Sequence, residues 1–243
     1  MTRRADVVEI PSPLVVPRDD FLAHRWAYRP GEHVTILGPT QSGKTTLGFQ
    51  LLGRTATRQL PAIVLCMKAR DAVPKAWGKR LGFPRIPSWP PAPRFTKPAG
   101  WLLWPKPTFD PERDDHELYR QFRSAILDSY RRGHRILFAD ELVGICDELG
   151  LHRECRVLWT RGSSGGAGLW GATQKPSHVP TWAYNSAEHL FLANDPDKRN
   201  RDRFSEIGGI DPDVLKSAVL RLRKYQWLYI RRSGPHMCIV DAQ

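Results

Sequence analysis

Short apolar runs recur along the chain, each followed by a glycine or a polar residue: His33-Val34-Thr35-Ile36-Leu37, Ala62 to Met67, Ile136-Leu137-Phe138-Ala139, Gly168 to Thr173 and His189-Leu190-Phe191-Leu192-Ala193. They do not alternate with polar residues, which is the pattern of strands covered on both faces in a parallel sheet. Between them lie stretches with helical spacing. Lys44 to Thr57 places Leu47, Leu51 and Leu52 on one face, Asp114-Asp115 opens a helix to about Arg132 that Gly133 stops, and a third helix covers Leu151 to Thr160. Strands alternating with helices predict an α/β fold of three layers with a mostly parallel central sheet.

The regions outside this pattern have their own signals. Residues 1–30 carry Pro11, Pro13, Pro17 and Pro30 and predict an N-terminal arm with a short helix near Asp19 to Trp26, an appendage and not a core strand. The domain then runs over 31–220. Within it, 84–113 is dense in proline among Trp89, Phe95, Trp101, Trp104 and Phe109, and predicts an irregular surface-wrapping insertion in which only Trp101 to Trp104 is strand-like. The tail, 221–243, alternates around Tyr225 to Ile230. With Ser233-Gly234-Pro235 as a turn into Met237 to Val240, it predicts a closing C-terminal β-hairpin.

The first strand runs straight into Gly38-Pro39-Thr40-Gln41-Ser42-Gly43-Lys44-Thr45, and a helix follows. This G-x-x-x-x-G-K-T spacing lets backbone N–H groups wrap phosphates while the helix directs its positive end at them. Lys44 is expected to reach the β- and γ-phosphates and Thr45 to ligate Mg²⁺ by its hydroxyl, with Thr46 completing the loop in a more structural role. Asp140 ends an apolar strand, where a Walker-B carboxylate reaches Mg²⁺ through water. Glu141 beside it is placed to polarise an attacking water. Gln174 ends another apolar strand, and neighbouring parallel strands end on one rim, so its amide is a candidate contact to the γ-phosphate. ATP and Mg²⁺ are the expected cofactors.

Charge adds a partner. Lys and Arg number 37 against 25 Asp and Glu, a net charge of +12, which suits either a polyanion such as nucleic acid or a positive surface that serves solubility. The basic run Lys198-Arg199-Asn200-Arg201-Asp202-Arg203, together with Arg221, Arg223, Lys224, Arg231 and Arg232, is either a phosphate-contacting set or a solvated face. Trp89, Trp101 and Trp104 are expected to pack and not to stack on bases. Cys66, Cys146, Cys155 and Cys238 form no CxxC pair and the histidines no H-E-x-x-H set, so neither a disulfide framework nor a protein-held zinc is indicated. No apolar run approaches the roughly 20 residues of a membrane span. The charged N-terminus has no h-region, and the expected location is cytoplasmic.

Gly38 to Thr45, Phe138-Ala139-Asp140-Glu141 and Ala172-Thr173-Gln174-Lys175-Pro176 together resemble the FtsK/HerA superfamily of ring-shaped DNA-pumping ATPases, which includes small packaging ATPases of DNA viruses. The resemblance covers roughly 31–210. It implies a homo-oligomeric ring acting on DNA, expected to be double-stranded, in viral genome packaging, in host cytoplasm or with the virion, and with a capsid or portal-vertex protein as a further partner. It also implies an arginine supplied by the neighbouring subunit, for which Arg161 is the first candidate, ahead of Arg156 and Arg153. Plasmid or chromosome DNA transfer, a non-motor nucleotide switch and a small-molecule P-loop kinase stay open as alternatives.

Overall fold

The computed structural model describes residues 13–93, 95–174, 179–203, 207, 210–234 and 236–242. The first residues of the expected arm, Lys175-Pro176 of the third motif and Pro235 of the expected turn lie outside them. In chain order the elements are β1 (Leu14–Pro17), α1 (Arg18–Asp20) running on into a π-type turn over Phe21–Arg25, β2 (Val34–Leu37), α2 (Lys44–Thr55), β3 (Ala62–Leu65), α3 (Ala72–Leu81), β4 (Arg85–Ile86), β5 (Gly100–Leu103) and α4 (Pro111–Arg132). Then follow β6 (Arg135–Ala139), a π-type turn over Gly144–Glu148, α5 (His152–Arg161), β7 (Ala167–Thr173), α6 (Thr181–Asn185), β8 (His189–Leu192), α7 (Lys198–Asp202), α8 (Pro212–Leu220), β9 (Trp227–Arg231) and β10 (His236–Asp241).

The strands form one sheet in the order β1-β10-β9-β8-β2-β7-β6-β3-β5-β4. From β8 to β4 every pairing is parallel, and β9 and β10 add an antiparallel border. Apolar side chains on both faces of these strands need cover on both sides. One face packs against α2 and α3 through Leu47, Phe49, Leu51 and Leu52, and the segment around Phe21 extends that layer. The other packs against α4, α5, α6 and α8 through residues such as Phe122, Leu158, Tyr184 and Leu215. This is the three-layer α/β fold expected of the sequence.

Local chemistry sets the helix ends. The Asp71 carboxylate accepts from the Val73 N–H to cap α3, and Gly82 ends that helix in the left-handed region at φ 68°. Asp110 caps α4 in the same way, with Pro111 in its first turn. Helix α2 approaches the sheet closely: a Cβ at Gly48 would lie 2.4 Å from Cζ of Phe138 on β6, so no larger residue fits without displacing that ring. Phe138 in turn meets Phe49 edge-on at 6.1 Å. His33 fastens the base of the domain. Its Nδ1 accepts from the Leu169 N–H at 3.0 Å, so Nε2 carries the proton and donates to the Trp159 carbonyl at 2.7 Å. Burial pulls its pKa down to about 4.

Two expectations about the ends and the insertion need correction. The segment expected to be an appendage contributes β1, which pairs in parallel with β10 from Leu14↔Cys238 to Pro17↔Asp241 and buries Val16. Pro13 precedes the strand and Pro17 ends it, on an edge strand, where proline is tolerated. The Pro-rich stretch is no mere surface wrap, because β4 and β5 within it extend the sheet beyond β3. Trp89, Trp101 and Trp104 are buried, as expected of packing residues. The indole N–H of Trp104 donates to the Lys68 carbonyl at 2.8 Å and that of Trp89 to Asp128 at 3.2 Å. The C-terminal hairpin forms, as a continuation of the main sheet. Among the described residues no helix is long and apolar enough to cross a membrane.

Candidate active site

Strand order explains why distant motifs meet. β7 lies between β2 and β6, with Leu37 opposite Thr173 and Ala139 opposite Gly171. Parallel strands end on a common rim, so Gly38, Asp140, Glu141 and Gln174 emerge together. The Gly38 N–H donates to the Thr173 carbonyl at 3.2 Å, stitching the start of the loop to the end of β7. The loop then turns through two left-handed positions, Gln41 at φ 62° and Gly43 at φ 92°. Side-chain-bearing residues seldom adopt the first, and such conformations gather at binding loops.

Three hydrogen bonds hold the functional side chains in register. Thr45 Oγ1 donates to Asp140 Oδ1 at 2.8 Å, Thr173 Oγ1 to Glu141 Oε1 at 3.1 Å, and Thr40 Oγ1 to Gln174 Oε1 at 2.7 Å. The Lys44 ammonium donates to the carbonyls of Gly38 at 2.8 Å and Pro39 at 2.9 Å. It bridges the mouth of its own loop, where it is 7% exposed. Thr46 stands half-buried one position farther along α2.

Burial dominates the electrostatics. It lowers the Lys44 pKa to about 8, with Glu141 and then Asp140 pulling it back up. Burial raises Asp140 against the Thr45 hydrogen bond, and raises Glu141 against the Thr173 hydrogen bond and the Lys44 charge. Each charge is thus held in a setting that disfavours it, which suits a site completed by a ligand of many charges.

Oxygen donors of this kind suit a hard divalent cation such as Mg²⁺. Thr45 and Asp140 supply a hydroxyl and a carboxylate within hydrogen-bond distance of each other. Among the described residues no group of three or more His, Cys, Asp or Glu could hold a metal by itself, so a cation here would complete its shell with phosphate and water oxygens. The buried Ser42 Oγ in the same loop has no partner, as a group awaiting a polar ligand would.

The other candidates fall elsewhere. Arg161 is exposed at the end of α5, on the opposite rim, beside the turn whose Gly165 carbonyl accepts from His134 before β6 begins. It does not meet the loop of its own chain. Arg153 and Arg156 are exposed nearer the start of α5. In the basic run, Arg201 donates to the Asp195 carbonyl at 2.9 Å, and Arg203 donates to the Val179 carbonyl at 3.2 Å and lies over the Tyr184 ring. Lys198 and Arg199 are exposed. Arg223 pairs with Asp241 and Arg231 with Glu188, while Arg232 donates to the Tyr184 carbonyl; these fasten the chain to itself.

Two further residues at the site carried no expected role, Thr173 from within the third motif and Tyr225 from outside every motif. Thr173 orients Glu141, and its position before Gln174 on the strand was the available clue. Tyr225 sits against the loop, its Cδ1 3.3 Å from where a Cβ of Gly43 would lie.

No protein-family model matches the sequence, and no curated protein does. The fold has solved counterparts. The genome packaging NTPase B204 from Sulfolobus turreted icosahedral virus 2, in complex with AMPPCP, superposes with a TM-score of 0.58 at 15% identity, over 89% of this chain and 100% of that one. VirB4 of Thermoanaerobacter pseudethanolicus gives a TM-score of 0.65 at 10% identity, over 87% and 90%. The pCW3 conjugation coupling protein TcpA, in monomer form with ATPgS, gives 0.51 at 14% identity, over 88% of this chain and 61% of that one. The chain therefore has the α/β P-loop NTPase fold that these proteins share.

Proposed function

We propose that this chain is an ATP-hydrolysing DNA translocase of the FtsK/HerA superfamily that works as a homo-oligomeric ring in viral genome packaging. The observation that carries the reading is the meeting of Lys44, the Thr45–Asp140 pair, Glu141 and Gln174 on one rim around the loop. In this reading Gly38 to Thr46 bind the triphosphate, with Lys44 opposing the charge of the β- and γ-phosphates. Thr45 and Asp140 would hold Mg²⁺, which would supply counter-charge to the phosphates. Glu141, raised above an ordinary carboxylate, orients the water and takes its proton as oxygen attacks the γ-phosphorus. Gln174 contacts the γ-phosphate and that water. Arg161 would serve the site of the adjacent protomer, since it stands on the rim away from its own.

The packaging role draws support from the alignment with B204 over that protein's whole chain, and the DNA partner from the net charge of +12. The likeness to VirB4 and TcpA keeps DNA transfer as a second reading. Purified protein tests both. Phosphate release should rise on adding duplex DNA, and particles imaged with ATP and DNA should be rings. Lys44→Ala should abolish most ATP binding, whereas Glu141→Gln should keep binding and stop turnover. Equal loss of ATP binding in the two variants would overturn these roles, and turnover indifferent to DNA would overturn the motor.

A further inference from the structure

The carboxylates and the amide assigned to chemistry lie on one flank of β2. Asp140, Glu141 and Gln174 come from β6 and β7, whereas the other neighbour of β2 is β8, followed by β9. A triphosphate held in the loop with its terminal phosphate toward Glu141 and Gln174 must direct its opposite end toward β8 and β9. What stands there on the same rim is residues 221–226, the connection into β9.

That connection is built, not loose. Arg223 N–H donates to Gln226 Oε1 at 2.8 Å, and Gln226, 6% exposed, donates to Asp241 at 2.8 Å. Arg18, just past β1, donates to the Tyr225 carbonyl and, at 3.4 Å, to Gln50 Oε1 on α2. Together these bonds keep Tyr225 at φ 68°, a left-handed conformation that bulky residues rarely adopt. The result is an aromatic ring that joins neither core cluster. It is 43% exposed, lies beside the loop where a Cβ at Gly43 would meet it, and carries the Lys224 ammonium 4.9 Å from its centroid. An exposed ring with a cation over it, at the end of a phosphate loop, is what a nucleobase joined to phosphates would use.

We propose that Tyr225 is the platform on which the base of a bound nucleoside triphosphate stacks, and that Lys224 leaves the ring face to meet the sugar–phosphate end. This rests on the nucleotide reading above and adds the nucleoside half of that site. A purine, with its larger π surface, gains more from the platform than a pyrimidine.

Calorimetric titration in a Glu141→Gln background, where turnover does not interfere, separates the two halves. Inorganic triphosphate probes the loop alone, and ATP probes the loop and the platform. Tyr225→Ala should weaken ATP by about tenfold and leave triphosphate within about twofold, while Tyr225→Phe should keep ATP within about threefold. ATP should also bind more tightly than CTP to the unchanged Tyr225 protein and lose that margin in Tyr225→Ala. Weakening of ATP and triphosphate alike would mean that the ring only props the loop, and an unchanged ATP affinity would mean that the base lies elsewhere; either overturns the proposal. If the Tyr225 protein bound triphosphate in a Lys44-dependent manner but ATP no better, the platform would fail while the loop reading stood. Binding of neither ligand would remove both.

Discussion

Thr40 Oγ1 donates to Gln174 Oε1 at 2.7 Å, so the first turn of the phosphate loop holds the side chain that closes β7. The amide oxygen is engaged by the loop and the amide N–H₂ donates to the Glu141 carboxylate, so Gln174 links the phosphate loop to Glu141, and its second amide hydrogen is the one that could reach phosphate or water. Gln174→Ala is expected to lower turnover by roughly 10- to 100-fold while changing ATP affinity by less than about threefold, since an interaction completed late stabilises the transition state more than the bound ground state. Thr40→Val should lower turnover less, because it removes the orienting bond and keeps the amide. Single-turnover hydrolysis beside equilibrium binding checks this, and unchanged turnover in Gln174→Ala would remove the residue from the site.

His33 makes stability depend on pH in a definite direction. Its pKa of about 4 in the fold lies below the ordinary histidine value of 6.5, so the unfolded chain binds the proton more readily between those values. The contribution of neutral His33 is therefore complete above about pH 6.5 and is lost as pH falls toward 4, by about 2 kcal/mol at pH 5. Urea unfolding at pH 7 and pH 5 measures it. A His33→Gln variant should have lower stability at pH 7 and a flatter pH response, and an equally steep response in the variant would assign the effect to other groups.

Gly48 lies in the middle of α2, where alanine would ordinarily gain about 1 kcal/mol of helix propensity. Here the added methyl meets Phe138 at 2.4 Å, and overpacking of about 1–3 kcal/mol should outweigh that gain. Gly48→Ala is expected to lower the urea midpoint. Combining it with Phe138→Leu should destabilise less than the sum of the two changes, as neighbours that share one space do. Additive losses would mean that the helix simply shifts outward.

For DNA, the exposed pair Lys198 and Arg199 is the part of the basic run free of the backbone anchors that hold Arg201 and Arg203. Duplex binding followed by anisotropy across a salt series should have a slope of several units, and replacing Lys198 and Arg199 with alanine should reduce it by about 1–2. Arg203→Ala should instead lower the melting temperature, because its guanidinium packs on Tyr184. A shallow slope for the unaltered protein would argue against a channel that grips phosphates.

The strands of the sheet centre, and the candidate residues that meet on its rim, are legible because their signals are local. An unbroken apolar run, a glycine-spaced loop and a polar residue at a strand end each act within a few positions. The parts that escaped depend on distant partners. Leu14 to Pro17 becomes a strand through β10, and its flanking prolines argue against it when read alone. Tyr225 fell into an alternating pattern that suggests strand, yet β9 starts only at Trp227, and the bond from Arg18 that sets its carbonyl has no trace in nearby sequence. Helix α3 carries a local signal too, Asp71 with Pro74 in the first turn and Gly82 beyond the end.

The parallel pairing of β1 with β10 also governs when the molecule can be finished. As the chain leaves the ribosome, Leu14 to Pro17 emerges well before Cys238 to Asp241, its described sheet partner. Until then Phe21, which rests on Tyr229 at 4.7 Å, lacks that ring. The sheet border is thus a late, long-range closure of the kind that slows folding and leaves apolar surface open in the interval. Since Arg18 follows this strand and reaches both Gln50 and Tyr225, the rim around the phosphate loop takes its final shape only once synthesis has reached β10.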